Sequence, residues 1–212
     1  MVNVGVLALQ GDFEAHRRRL AELGADAVLV RGDSGGMAAA LHDLDALVIP
    51  GGESTTFVKL LGDGGFDALR AFVAEKPVFG TCAGTILLAR ALDDSAQRTL
   101  GAIDIRVRRN AYGRQLDSSI RRGTFRGTPM EMVFIRAPKI VSFGDVEVLA
   151  TEGDDVVAVR QGDVVAATFH PELTDDVRMH ALFLDVVRES LASPRERSET
   201  SAPTPTRRAA SG

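Results

Sequence analysis

The 212-residue chain has one cysteine and four histidines, and no tryptophan at all. A single cysteine excludes any disulfide within the chain, so a packed core must hold the fold, and a free thiol suits a reducing compartment. Positive charge is not in excess: 25 Lys and Arg face 29 Asp and Glu, a net charge of −4 that points away from nucleic acid as an overall partner. No apolar run is long enough to span a bilayer. The first, Val4–Leu9, stops at Gln10-Gly11-Asp12, and Met1-Val2-Asn3 is not the basic leader of a signal peptide, so a cytoplasmic chain away from membranes is expected. His and Cys show no metal-ligand spacing and no phosphate-binding glycine motif occurs, so neither metal nor cofactor is expected. Internal repeats are absent too.

What remains is an ordinary globular balance, 45% hydrophobic and 25% charged, at a length that buries roughly 70% of the unfolded surface. Short apolar runs at Val4–Leu9, Ala27–Val30, Ala46–Ile49 and Val78–Phe79 are rich in Val, Ile and Leu on both faces, as strands of a helix-covered parallel sheet are. Helical patterns at Phe13–Leu23, Thr55–Leu61 and Phe66–Ala74 separate them. The order predicts an α/β fold with a three-layer, doubly wound, mostly parallel sheet flanked by helices.

Further strands are expected at Ile103–Val107, Met132–Ile135, Val146–Ala150, Val156–Arg160 and Val164–Phe169. The last two read as a hairpin, an added antiparallel region that returns Phe169-His170 to the sheet edge. A final amphipathic helix runs from about Asp175 to Leu191, with Met179, Leu182, Phe183, Val186 and Val187 on one face. Residues 1–192 form the expected domain; 193–212 are Pro, Ser, Thr, Ala and charge, the composition of a disordered tail.

Three segments carry chemistry. Cys82 lies in Phe79-Gly80-Thr81-Cys82-Ala83-Gly84, a strand, a sharp turn and a helix start, with glycines two residues to either side. That is a nucleophile elbow with cysteine at its tip, facing the positive end of a helix dipole. A lone cysteine is also, and commonly, a buried core residue. Thr168-Phe169-His170-Pro171-Glu172 places a base at a strand end with a carboxylate two residues on to orient it. Leu47-Val48-Ile49-Pro50-Gly51-Gly52-Glu53-Ser54 is another strand running into a glycine turn; its Gly52 N–H and the Ala83 N–H would form an oxyanion hole.

These segments resemble the signatures of class I glutamine amidotransferases. Leu9-Gln10-Gly11, Arg108-Arg109-Asn110-Ala111-Tyr112-Gly113-Arg114-Gln115 and Phe134-Ile135-Arg136-Ala137-Pro138 are similar, more narrowly, to the glutaminase subunit of pyridoxal 5′-phosphate synthase. The resemblance implies a catalytic set of Cys82, His170 and Glu172 and hydrolysis of L-glutamine through a thioester. It places substrate contacts at Gly52, Glu53, Ser54, Arg109, Ile135 and Arg136. A synthase (lyase) subunit would dock near Gln10 and receive the ammonia. Without the resemblance, Arg109 and Arg136 read as solvated strand-end charge, and Arg106, Arg108, Arg121 and Arg122 keep that reading.

The remaining histidines carry no expected role: His42 in a short polar helix or loop, His180 on the solvent side of the last helix, and His16 beside Arg17-Arg18-Arg19 on a solvated or partner-facing surface. Two other functions stay open at this point: a glutaminase of another pathway, and a non-catalytic thiol redox sensor.

Overall fold

The computed structural model describes residues 1–32, 36–109 and 118–193. The parallel half of the main sheet is formed by β1 (Asn3–Leu7), β2 (Asp26–Val30), β3 (Ala46–Ile49), β4 (Val78–Thr81) and β12 (Val164–Ala167). The antiparallel half adds β7 (Ser118–Phe125), β8 (Thr128–Ile135), β10 (Glu147–Glu152) and β11 (Asp155–Gln161). The nine strands run in the order β2-β1-β3-β4-β12-β11-β10-β7-β8, parallel as far as β12 and antiparallel beyond it. A separate three-stranded sheet joins β5 (Ala89–Leu92), β6 (Ile103–Arg108) and β9 (Lys139–Phe143).

Alternation divides the core between two faces. Val4, Val6, Ala46, Val48, Phe79 and Val165 pack with Leu20 of helix α1 (Phe13–Glu22) and with Met179, Phe183 and Val187 of α5 (Arg178–Ala192). Leu7, Leu47, Ile49 and Val78 point the other way, toward α2 (Gly36–Leu41), α3 (Ser54–Glu75), α4 (Ala83–Leu88) and the small sheet. The expected three layers are therefore present.

Local chemistry sets the element ends. Asp12 caps α1 by accepting from the Ala15 N–H at 3.1 Å, and Glu53 caps α3 through the Thr55 N–H at 3.3 Å. The two helical stretches expected either side of Gly62-Asp63-Gly64-Gly65 are one span, Ser54–Glu75, broken at Gly62, whose φ of 58° no helix allows.

One placement differs from expectation. The hairpin β11–β12 is not on an outermost strand: β12 pairs with β4 on one side and β11 on the other, at the centre of the sheet. Four apolar residues buried on both faces suit that interior position better than an edge. Of the expected tail, residues 194–212 lie outside the described residues, as do Asn110–Gln115 of the arginine-rich motif.

Candidate active site

Parallel pairing sends β1, β3, β4 and β12 out at one edge, so Gln10, Gly51, Cys82 and His170 leave the sheet together, where sites gather in open α/β sheets. Counting antiparallel pairings across from β12, β8 again runs in the β12 direction and delivers Ile135 and Arg136 to the same edge. The antiparallel half also reaches back, since the His170 N–H donates to the Val133 carbonyl of β8 at 2.8 Å.

Cys82 turns the chain from β4 into α4 with φ at 47°, a left-handed conformation costly for a side chain other than glycine. Its N–H donates to the Ala167 carbonyl at 2.8 Å, and the Thr85 hydroxyl donates to the carbonyls of Gly80 and Ala167 at 3.0 and 2.6 Å. Those bonds hold the elbow against β12. A Cβ on Gly84 would collide with the Ile49 carbonyl, so glycine is required for the helix to approach β3 so closely.

His170 is nine-tenths buried at the start of a 3-10 turn, Pro171–Leu173. Its Nδ1 lies 2.7 Å from Oε1 of Glu172, which is 2% exposed. Burial alone would lower the His170 pKa, but hydrogen bonding and charge from Cys82 and Glu172 outweigh it and hold the imidazole up to about 10. Glu172 moves the other way: burial favours its neutral form, yet the facing His16 and His170 keep its pKa below the usual carboxylate range.

The Cys82 thiol points at the Ile135 carbonyl, 3.9 Å away, and a Cβ placed on Gly51 would strike the His170 ring and lie 3.3 Å from the Cys82 Cβ. Cys82, His170 and the glycine turn converge on one site. They open into a cavity of about 250 Å³ whose wall includes Gly52, Glu53, Ser54, Arg109, Ile135 and Arg136. That is smaller than the ~300–1,000 Å³ of sites for drug-sized molecules and suits a single amino acid.

Gln10 stands beside the glycine turn: its Nε2 donates to the Glu53 carbonyl at 2.5 Å and its Oε1 lies 3.3 Å from the Glu53 N. Gly52, at φ 140°, passes so close to Gln10 that a Cβ would sit 3.0 Å from the side-chain amide carbon. Arg109 is tethered to Asp94 at 3.4 Å and to Gln97 at 3.1 Å, and Gln97 also accepts from the Ser54 hydroxyl at 3.1 Å. Ser54 and Gln97 were not expected as partners; two polar residues 43 apart carry no spacing signal.

Two expectations are overturned. His16 and His180 are fully buried, not on solvated surfaces. His16 is three residues after Phe13 and four before Leu20, the spacing of the buried stripe of α1; His180 shares the ridge of Phe183 and Val187 on α5. The adjacent Arg17-Arg18-Arg19 run masked the first signal. His42 is exposed, as expected. Among the described residues no cluster of three or more His, Cys, Asp and Glu is placed to hold a metal ion, and no helix is long and apolar enough to cross a membrane.

A doubly wound sheet with a cysteine elbow, a histidine and a carboxylate at its carboxyl edge defines the class I glutamine amidotransferase fold. A solved structure titled as a glutamine amidotransferase superposes with a TM-score of 0.80 at 46% identity, over 87% of this chain and 98% of that one. A putative GMP synthase subunit from Thermoplasma acidophilum, 18% identical, shares the fold with a TM-score of 0.65 over 91% of this chain and 96% of its own.

The chain belongs to the SNO glutamine amidotransferase family, which it matches over residues 6–189. Proteins named pyridoxal 5′-phosphate synthase subunit PdxT are similar to it over nearly their whole length. That of Koribacter versatilis is 58% identical over 88% of this chain and 96% of its own. That of Frankia alni is 50% identical over the same shares, and that of Bacillus cereus 47% identical over 90% and 97%.

Proposed function

We propose that this chain is the glutaminase subunit of a pyridoxal 5′-phosphate synthase, hydrolysing L-glutamine to glutamate and ammonia for a lyase subunit docked on it. The observation that carries the reading is the convergence of Cys82, His170 and Gly51 on the wall of one cavity of amino-acid size, with Glu172 behind the histidine. Residues 1–192 act as one amidotransferase domain, and the reducing cytoplasm keeps the thiol free.

In this mechanism His170 starts as the imidazolium, holding on Nε2 the proton given up by Cys82, and the Cys82 sulfur turns from the Ile135 carbonyl and attacks the side-chain amide carbon. The C=O pair moves onto oxygen, and the oxyanion is met by the N–H groups of Gly52 and Ala83, each such donor being worth about 3 kcal/mol. Collapse breaks the C–N bond as His170 gives its proton to the departing nitrogen, leaving ammonia and a γ-glutamyl thioester. Water then attacks, His170 taking its proton and returning one to sulfur, and glutamate leaves. Glu172 fixes the histidine tautomer, because Nδ1–H donates to it and Nε2 is left for the proton transfers.

Glutamine binds with its α-carboxylate toward the guanidinium groups of Arg109 and Arg136, whose planar forks suit two oxygens. Glu53, Ser54 and the Ile135 backbone complete the pocket. Gln10 belongs to the docking surface. Its clasp on Glu53 links that surface to the turn carrying Gly52, so the isolated chain should turn over poorly until the lyase subunit settles the turn.

The test measures ammonia release from glutamine with and without the lyase subunit, together with labelling by a glutamine-like diazo ketone. Turnover stimulated by the lyase, and labelling of Cys82 that disappears in His170→Ala, are the expected results. No ammonia and no labelling with the lyase present would refute the glutaminase; full turnover by the isolated chain would refute the docking role of Gln10.

A further inference from the structure

Behind Glu172, on the side away from the cavity, lies a polar set that glutamine hydrolysis as proposed leaves idle. His16 of α1, Thr81 at the end of β4 and His180 of α5 are each fully buried. His16 Nε2 is 3.3 Å from Oε2 of Glu172 and 3.2 Å from the Thr81 hydroxyl, while His16 Nδ1 is 3.0 Å from His180 Nε2. The chain His170–Glu172–His16–His180 thus leads from the turn at the site to α5.

Its proton arrangement follows from the ends. Burial lowers the pKa of both His16 and His180, the latter to about 3, so both rings are neutral at pH 7. An ionised Glu172 only accepts, so His16 Nε2 carries the hydrogen, directed along the aligned contact to Thr81 with Oε2 beside it. His16 Nδ1 is then the acceptor and His180 Nε2–H the donor. His180 Nδ1 is left with a bare lone pair, and it has no hydrogen-bond partner among the described residues. One tautomer of each ring satisfies the His16–Thr81 and His16–His180 contacts, while Glu172 Oε2 has the His16 ring edge 3.3 Å away as a close polar neighbour and no hydrogen bond of its own among the described residues.

Stability does not explain this set. Burying two imidazoles and a carboxylate costs more than apolar residues would, and both histidines sit on stripes otherwise made of Phe, Leu and Val. We propose that His16, backed by His180, is a positioning residue of the glutaminase: it holds the Glu172 carboxylate ionised and turned so that Oε1 meets His170. The inference rests on the glutaminase reading above. Without the polar edge of the His16 ring 3.3 Å from Oε2, a carboxylate this deeply buried would take up a proton or swing, and the imidazolium of His170 would lose its partner. The charged and titratable groups facing the histidine pair are Glu172 and His170 from the turn, with Asp12 and Arg19 from the two ends of α1.

The test compares wild type, His16→Leu and His16→Gln as full chains in complex with the lyase subunit. Leucine removes both ring nitrogens; glutamine keeps one N–H and one acceptor. In His16→Leu, kcat for glutamine should fall about tenfold or more, with KM changed less than about twofold, as the loss of a donor to a charged group predicts. The alkaline limb of kcat/KM should move toward neutrality by about one pH unit, because His170 is held less firmly. His16→Gln should recover most of both.

A wild-type kcat and an unmoved limb in His16→Leu would overturn the inference, as would a kcat loss that His16→Gln fails to recover. If His16→Leu does not fold, nitrogen-15 spectra of the wild-type complex decide: His16 should remain the neutral Nε2–H tautomer from about pH 7 to about pH 9. Titration within that range, or a proton on Nδ1, overturns the inference. A wild-type complex releasing no ammonia removes the glutaminase reading and this inference with it; an active wild type whose limb does not respond to residue 16 removes the inference alone.

Discussion

In the parallel half of the sheet, β3, β4 and β12 are buried along their whole length, whereas β7 and β8 of the antiparallel half alternate covered and solvent-facing residues. The halves also differ in slack. At the carboxyl edge of the parallel half, glycines at 51 and 84 let backbones and the His170 ring approach with no room for a methyl group. The antiparallel half supplies Ile135 and Arg136 at the cavity rim, and besides the β11–β12 pairing a backbone bond from His170 to Val133 joins β8 to the centre. The difference teaches a division of labour: doubly covered strands fix the reacting groups, and the half-exposed extension supplies recognition.

Two alanine substitutions at glycines should separate the halves most sharply. In Gly51→Ala the new methyl meets the His170 ring and crowds Cys82, so kcat for glutamine should fall by about 10² or more, the usual consequence of displacing a reacting group by about 1 Å. The fold should survive, because the imidazole can shift. In Gly123→Ala, on β7, the methyl meets the Thr151 carbonyl, and Met132 Cε at 2.9 Å, far from the cavity. Overpacking there should cost about 1–3 kcal/mol in urea unfolding, with kcat in the lyase complex unchanged. If Gly51→Ala lost stability and kept kcat, or Gly123→Ala did the reverse, the comparison would fail.

The halves differ equally in how readable they are. Strands of the parallel half stand within two residues of their expected ends because continuous apolar runs between helical patterns have one economical explanation. β7 went unexpected: Ser-Ser-Ile-Arg-Arg-Gly-Thr-Phe leaves Ile120 two-thirds exposed and has no clean alternation of apolar residues. β5 is four residues long and β9 buries only Ile140 fully, too little for a pattern. At the site, Cys82, His170 and the glycine turn were legible because each sits where a strand meets a turn. His16 and His180 were not, since polarity argued for solvent where spacing argued for core.

Arg136 sharpens the comparison at the rim. It follows β8 at φ 43° and lines the cavity. Arg136→Ala should raise KM for glutamine about tenfold to thirtyfold and lower kcat by less, since a hydrogen-bonded charge pair to the substrate carboxylate is lost while the reacting groups stay put. Arg136→Lys should fall between, keeping the charge without the fork. An equal fall in kcat would show that the antiparallel half acts on the chemistry as well.

The smallest effect concerns pH, where α1 and α5 bring two buried histidines against Phe79 of the parallel half. His180, lowered to about 3 by burial, binds no proton in the folded protein at pH 6, whereas an unfolded chain begins to bind one below its ordinary value of 6.5. The unfolded state therefore gains protons as pH falls, and stability must fall with it, by roughly 0.7 kcal/mol between pH 7 and pH 6 for one such group. His16 adds to this in the same direction. His170 acts oppositely: raised to about 10, its contribution is whole below pH 6.5 and is lost as pH rises toward 10. His180→Phe should remove one histidine's share of the acid dependence, flattening the urea midpoint between pH 7 and pH 6 and leaving the alkaline decline in place. If the acid slope is unchanged in His180→Phe, the ring is protonated within the folded protein, and the neutral pairing with His16 on which its burial depends does not hold.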